Sequence, residues 1–339
     1  MLNPFNTLKI INPSAGAAVM AIGIFLFASI DRIPFLGDAA AILVLPYLFI
    51  SLIIFLSIIA QVLQPDFLTP FINNPVNSFV MGSWIAGISV VCNVVLKFYP
   101  EAEDILLWIA VCNSVVFFLF LFFYLRNIFK LFKGRLKHEV HGVVLLSTVS
   151  TQSIVILWIE LNPSLPYIIS AAGIAAGLCF YIAGTGLILA RFLHLKDWSL
   201  AEDWANTNCI IHGALSISGL ALTLSHILPP VWLMRYWLIA LFFFAVIEAI
   251  EMARAYKRMQ IYGWRKGLLT YQVSQWSRNF TFGMLFAFTN TLVNDPFYTG
   301  VHLPFQSLLI TILPWVVFLL LILEICLWID SRLFERLFS

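Results

Sequence analysis

Apolar runs of about twenty residues, the length that crosses a bilayer as a helix, recur from one end of this chain to the other with only short polar punctuation between them. They fall at Ser14–Ile30, Ala40–Leu63, Phe79–Leu96, Ile105–Leu125, Val140–Ile159, Tyr167–Phe192, Asn206–Ile227, Val231–Met252, Trp276–Val293 and Phe305–Trp328. Pro34, Pro65, Pro100, Pro163, Pro229 and Pro296 all lie between runs, where a helix must stop or start. Ten such runs consume nearly all of the 339 residues. The expectation is one transmembrane domain over residues 1–339 and no soluble domain. Met1 to Ile11 is polar or mixed, which predicts no cleavable signal peptide.

Charge decides what solvent such a chain can tolerate. Only 11% of residues are charged, where a soluble domain has roughly a quarter. Mean hydropathy is +0.96. A water-facing surface cannot be covered at that density, so lipid must be the solvent for most of the exterior. The few cations are not spread evenly. Lys9, Arg126, Lys130, Lys133, Arg135, Lys137, Arg191, Lys196, Arg254, Lys257, Arg258, Arg265, Lys266, Arg332 and Arg336 fall on one side of the expected topology. Only Arg32, Lys97 and Arg235 fall on the other. The positive-inside rule then puts both termini in the cytoplasm of a cell (inner or plasma) membrane, which requires an even number of spans. The basic stretch from Arg126 to Lys137 reads as contact with lipid headgroups and not as a nucleic-acid site.

The runs alternate in character. Odd-numbered ones carry small and polar residues: Gly23 in the first, Ser83 and Gly87 in the third, Ser147 and Thr151 in the fifth, His212 and Ser216 in the seventh, Asn279, Thr281 and Gly283 in the ninth. Even-numbered ones are mostly Leu, Ile, Phe and Val. Polar side chains are costly against hydrocarbon, so polar helices belong inside and greasy ones outside. The expected fold is an all-α polytopic membrane protein of five helical hairpins, with the odd helices lining a central pore. Small residues also let helices pack closely without any pore, and that reading stays open.

The inner set carries no carboxylate. It offers hydroxyls, amides, His212 and one guanidinium, Arg278. Cation paths are usually lined by acids, so this lining suits anions. Arg278 either concentrates anions at the inner mouth, or snorkels to the headgroups, or pairs with an acid such as Glu248. Glu324, in an outer run, calls for a structural partner. His212 is either a titrating group on a transport path or a neutral histidine bonded to a neighbouring helix. Five scattered cysteines without paired spacing, no nucleotide loop and no Ser/His/Asp constellation point to no metal, no cofactor and no enzyme. Ser199 to Glu202 reads as a capping box opening a short helix before the seventh run.

Four segments resemble the tellurite-resistance/dicarboxylate transporter family, which includes TehA-like proteins and the plant slow anion channels. They are Ala18-Val-Met-Ala-Ile-Gly-Ile24, Asn74-Pro75-Val76, Cys209-Ile-Ile-His-Gly-Ala-Leu-Ser216 and Phe280-Thr-Phe-Gly283. The resemblance implies a ten-helix homotrimer with a pore in each protomer. It implies further that a phenylalanine on the ninth helix occludes the pore: Phe282 matches that position, with Phe280 as the second choice. Here the inner runs lack the prolines common in relatives, and Arg278 stands where relatives tend to have an uncharged residue. The expected activity is passage of small anions such as chloride or nitrate. The alternative is a carrier for a dicarboxylate, sulfite or another oxyanion, possibly proton-coupled.

Overall fold

The computed structural model describes residues 11–134 and 139–337, with side chains to residue 333. Lys9, Arg135 and Lys137 of the orientation argument lie outside the described residues, as does the side chain of Arg336. Among the described residues there are ten long helices, with short ones such as Pro65–Asn73 between them. The long ones are α1 (Pro13–Arg32), α2 (Ala40–Val62), α3 (Asn77–Phe98), α4 (Pro100–Lys133), α5 (Gly142–Leu161), α6 (Tyr167–His194), α7 (Asn206–Leu224), α8 (Pro230–Leu268), α9 (Trp276–Asn294) and α10 (Pro304–Leu337). No strand occurs among the described residues.

Local chemistry sets the ends. Asn12 accepts from the Ser14 N–H (2.9 Å) and Pro13 occupies the first turn of α1. Prolines likewise open α4, α8 and α10. The even helices outrun their apolar cores: α4 continues to Lys133 and α8 to Leu268. Those extra turns carry basic residues that water can solvate. Pro46 in α2 and Pro314 in α10 sit inside helices, on the outer members of the bundle. In α1 the last turns widen into a π segment over Phe25–Ser29. The Ser199–Glu202 segment forms a turn and no helix. There Asp203, one residue beyond the expected acid, accepts from the Ser199 N–H (2.7 Å).

The odd helices pack in a closed ring, α1 on α3, α3 on α5, α5 on α7, α7 on α9 and α9 back on α1. Each even helix lies outside, against the two odd helices that flank it in sequence, with α10 seated on α9 and the π segment of α1. Burial follows the ring. In the apolar stretches of α1, α3, α5 and α7, 67%, 78%, 89% and 94% of residues are buried. For the even helices the share is 22% in α2 and 28% in the other four. Their exposed faces are Leu, Ile, Phe and Trp, which only lipid can cover at low cost. Among the described residues nine helices are long and apolar enough to cross a membrane, one fewer than the ten runs expected. The exception is α9, where Arg278, Asn279, Asn290 and Asn294 dilute the apolar residues. Its neighbours bury most of it, so it needs little apolar surface of its own. The protein is an integral membrane protein.

Candidate functional site

Two cavities lie on the axis of the ring, and all five odd helices contribute to each. The first is at the end where the basic residues gather. It is lined by Ala17 and Met20 of α1, Ser83 of α3, Leu146 and Val149 of α5, Thr207 and Ile210 of α7, and Ser277 and Phe280 of α9. The second is nearer the opposite end, lined by Ile24 and Phe27, Ser89 and Asn93, Ser153 and Ile156, Ile217 and Leu220, and Met284. The lining residues recur every three or four positions on each helix, as one face of a helix must. One helical turn separates Met20 from Ile24, Val149 from Ser153, and Phe280 from Met284. At that level Met20, Val149 and Phe280 border the first cavity and Ile24, Ser153 and Met284 the second. Phe280 is 2% exposed and Met20 is 2%.

No charged residue lines either cavity. Two hydroxyls return to their own helix, Ser83 donating to Val80 O (2.7 Å) and Ser89 to Ile85 O (3.1 Å), and Thr207 is bonded to His141 (2.7 Å). The second cavity differs. The Ser153 hydroxyl and the Asn93 side-chain oxygen are buried there without a hydrogen-bond partner. An unpaired buried polar atom is costly, so these two are the groups on the axis ready to take a polar guest.

Of the residues singled out in the sequence, only Ser83 and Phe280 line an axial cavity. The others face the neighbouring helices. Arg278 points to α8, where it pairs with Glu251 and lies 3.7 Å from Glu248. This is the partnered alternative among those left open for it. His212 also faces α8, with Nε2 3.2 Å from Glu248 Oε1 and its ring edge-on to Phe244. Phe282 lies on the same outer face of α9, edge-on to Phe244 at 4.9 Å and against the His212 ring at 6.2 Å. Asn279 donates to Val317 O of α10 (3.2 Å). Thr281 packs into the notch left by Gly213 of α7, and Gly283 receives Ile24 of α1. Gly23 faces Tyr47 and Val90, and Gly87 faces Phe55 and α1. Ser147 and Ser216 donate to Val144 O and His212 O. Thr151 donates to Ser147 O and borders an apolar groove between α4 and α6.

The physical reason is common to all of them. Inside a membrane protein a polar side chain is as often the seal between two helices as the lining of a path. Composition marks a helix as inner but does not say which of its faces meets the axis. The axial residues not singled out, Ser277 and Met284, share with Phe280 one stripe of α9 at helical spacing. The contrast with Arg278 and Phe282, which share the opposite face of α9, was the available signal.

A ring of five buried helices with an uncharged axial path fits a membrane passage for a small solute. No curated protein matches the chain. A family model described as voltage-dependent anion channel matches residues 11–329. That is nearly the whole length, and the likeness to the slow anion channels is thereby shown for the chain and not for four segments alone. The family is one of channels and not of enzymes, and the chain belongs to the SLAC1 voltage-dependent anion channel family.

Proposed function

We propose that the protein is a channel for small monovalent anions whose path runs along the axis of the five odd-numbered helices, as a single transmembrane unit. Phe280 and Met20 occlude that path between its two cavities. In this reading α9 is the tenth span and each odd helix forms a hairpin with the even helix that follows it. The basic end faces the cytoplasm, by the excess of lysine and arginine there. Trimeric assembly rests on the family resemblance.

The observation that carries the proposal is the pair of axial cavities, lined by all five helices, with Met20 and Phe280 bordering the first and Ile24 and Met284 the second at the level between them. Their chemistry supports the choice of ion. A path without carboxylates does not attract cations, and hydroxyl and amide donors favour an anion. A path without fixed positive charge also returns little of an ion's hydration energy. That cost rises steeply with charge, so chloride and nitrate are better guests than sulfate or a dicarboxylate. The Ser153 hydroxyl is the group we assign to meeting the anion in the second cavity, since it can donate whereas the unpartnered Asn93 oxygen only accepts.

The phenylalanine gate falls to Phe280, because it lines an axial cavity while Phe282 packs on Phe244 behind the ring. A proton-coupled carrier would need a titrating group on the path. His212 lies off it, bonded to Glu248. The test is anion flux in proteoliposomes for chloride, nitrate, sulfite and malate, with wild type beside Phe280→Ala and Phe282→Ala. Voltage-driven chloride and nitrate flux that rises only in Phe280→Ala supports the channel. Saturable, pH-driven uptake of malate or sulfite, unchanged by Phe280→Ala, would replace it with a carrier.

A further inference from the structure

At the basic end α8 does not run straight out of the bundle. It breaks at Gly263, whose φ of 75° and ψ of 170° lie in a region essentially reserved for glycine. The residues beyond the break turn back on the helix they came from. Gly267 comes so close to the Arg258 carbonyl that a Cβ there would sit 2.8 Å from its oxygen. Arg258 Nε–H fastens the fold by donating to Gly267 O (3.2 Å). Two positions that require glycine thus hold a wall over the last turns of α8. Behind it is an open polar cavity that shares no residue with either axial cavity.

Four cations line this cavity, Arg254, Arg258 and Lys266 of α8 and Arg278 of α9, against one carboxylate, Glu251. Glu251 is already committed. It pairs with Arg254 (3.4 Å) and Arg278, and it accepts from Trp204 Nε1–H (2.8 Å). Glu248 beside Arg278 and Glu202 beside Arg258 approach from outside the cavity lining. Lys266 is exposed and pairs with no carboxylate among the described residues. The side-chain amides of Gln272 and Gln275 also line the cavity, while Asn206 Nδ2 donates to Gln272 and Ser274 and the Thr270 hydroxyl to Lys266 O.

We propose that this cavity is a binding site for a phosphoryl group, separate from the conduction path. Guanidinium forks and an ammonium converging from two helices and a folded-back segment suit a multi-oxygen dianion, where a spherical halide could meet only some of them. The phosphoryl group has two available sources, free phosphate or an anionic lipid headgroup. Tyr262 and Trp264, 40% and 63% exposed, flank the break at Gly263 and are the side chains expected at a membrane–water interface. Basic residues there attract anionic lipids. The site also adjoins the axis: Asn206 and Gln275 face this cavity, while their neighbours Thr207 and Ser274 line the first axial one.

The test reads binding and not flux, so its failure is distinct from failure of the channel reading. Purified protein in a neutral detergent is titrated with inorganic phosphate, with dihexanoyl phosphatidic acid, and with sodium chloride at matched ionic strength. Thermal unfolding is followed in wild type and Lys266→Ala. Lys266 is chosen because it is exposed and holds no structural ion pair. The expected result is a saturable stabilisation by phosphate or by the phosphatidic acid, absent with chloride, and about tenfold weaker in Lys266→Ala. Saturation by the lipid alone assigns the site to a headgroup, and equal saturation by both assigns it to the phosphoryl group as such. Equal effects of phosphate and chloride, or an unchanged midpoint in Lys266→Ala, would overturn the proposal.

Discussion

Two phenylalanines two residues apart on α9 have opposite surroundings. Phe280 looks into the axis with Met20, whereas Phe282 looks outward to Phe244 and His212. The expected outcome for Phe280→Ala is at least about a tenfold rise in anion flux, equivalent to about 1.4 kcal/mol off the barrier. Phe282→Ala is expected to leave unitary conduction unchanged and to lower thermal stability, since it opens a gap between α8 and α9. Single-channel recording beside thermal unfolding separates the two effects. Arg278 is likewise a structural residue in this account. Arg278→Ala takes one of two arginines from Glu251, which is 3% exposed, and leaves it with Arg254 (3.4 Å) and the Trp204 N–H (2.8 Å). Stranding a buried acid completely costs about 3–5 kcal/mol, which is the upper bound here. Folded yield should fall sharply in Arg278→Ala and recover in the double variant Arg278→Met with Glu251→Gln. Yield that recovers without the second substitution would show that the pair is not needed.

At the scale of the helix, the ring is closed by glycine notches that admit side chains or backbone from the next helix. Gly213 of α7 is the clearest. A Cβ there would lie 2.2 Å from the Thr281 methyl, so α7 and α9 could not keep their distance. Gly213→Ala is expected to cost about 1–3 kcal/mol through overpacking, read as a lower unfolding temperature in detergent. A compensating Thr281→Ser, which removes the clashing methyl, should return part of it. Gly142, at the start of α5, approaches even closer, with Thr207 O 1.8 Å from where its Cβ would be. The α8 break is a different kind of requirement. Gly263→Ala forces a side chain into a strained conformation costing about 1–3 kcal/mol. It should loosen the folded-back segment, visible as faster proteolysis after Lys266 with the rest of the chain intact.

For the molecule as a whole, the division into a buried ring and a lipid-facing shell decides its solvent. The even helices expose Leu, Ile, Phe and Trp over most of their apolar length, so the fold is stable only where hydrocarbon or detergent covers them. Orientation is checked at this scale. With the basic end in the cytoplasm, Gly37→Cys should react with a membrane-impermeant maleimide on intact cells, and Ser199→Cys only after lysis. The reverse pattern would invert the topology. Polar groups at the far end are internally paired, Lys97 with Asp31 (2.6 Å) and His226 Nε2 with Asp295 Oδ2 (2.8 Å).

From residue order alone came the membrane class, the helical content, the alternation of inner and outer helices and the anion chemistry, because these depend on composition and period. Nearly every apolar run became a helix within a few residues of its expected core, and the greasy even helices are the exposed ones. What residue order could not settle was rotation. A helix surrounded on all sides shows no simple amphipathic face, since its neighbours demand glycine, hydroxyl or charge as readily as a path does. Whether Arg278, His212 and Phe282 face the axis or α8 depends on partners such as Glu248, Glu251 and Phe244, 27 to 38 residues away in sequence. Only tertiary packing brings those partners together, and it alone turned Phe280 toward the axis and folded Lys266 back over α8.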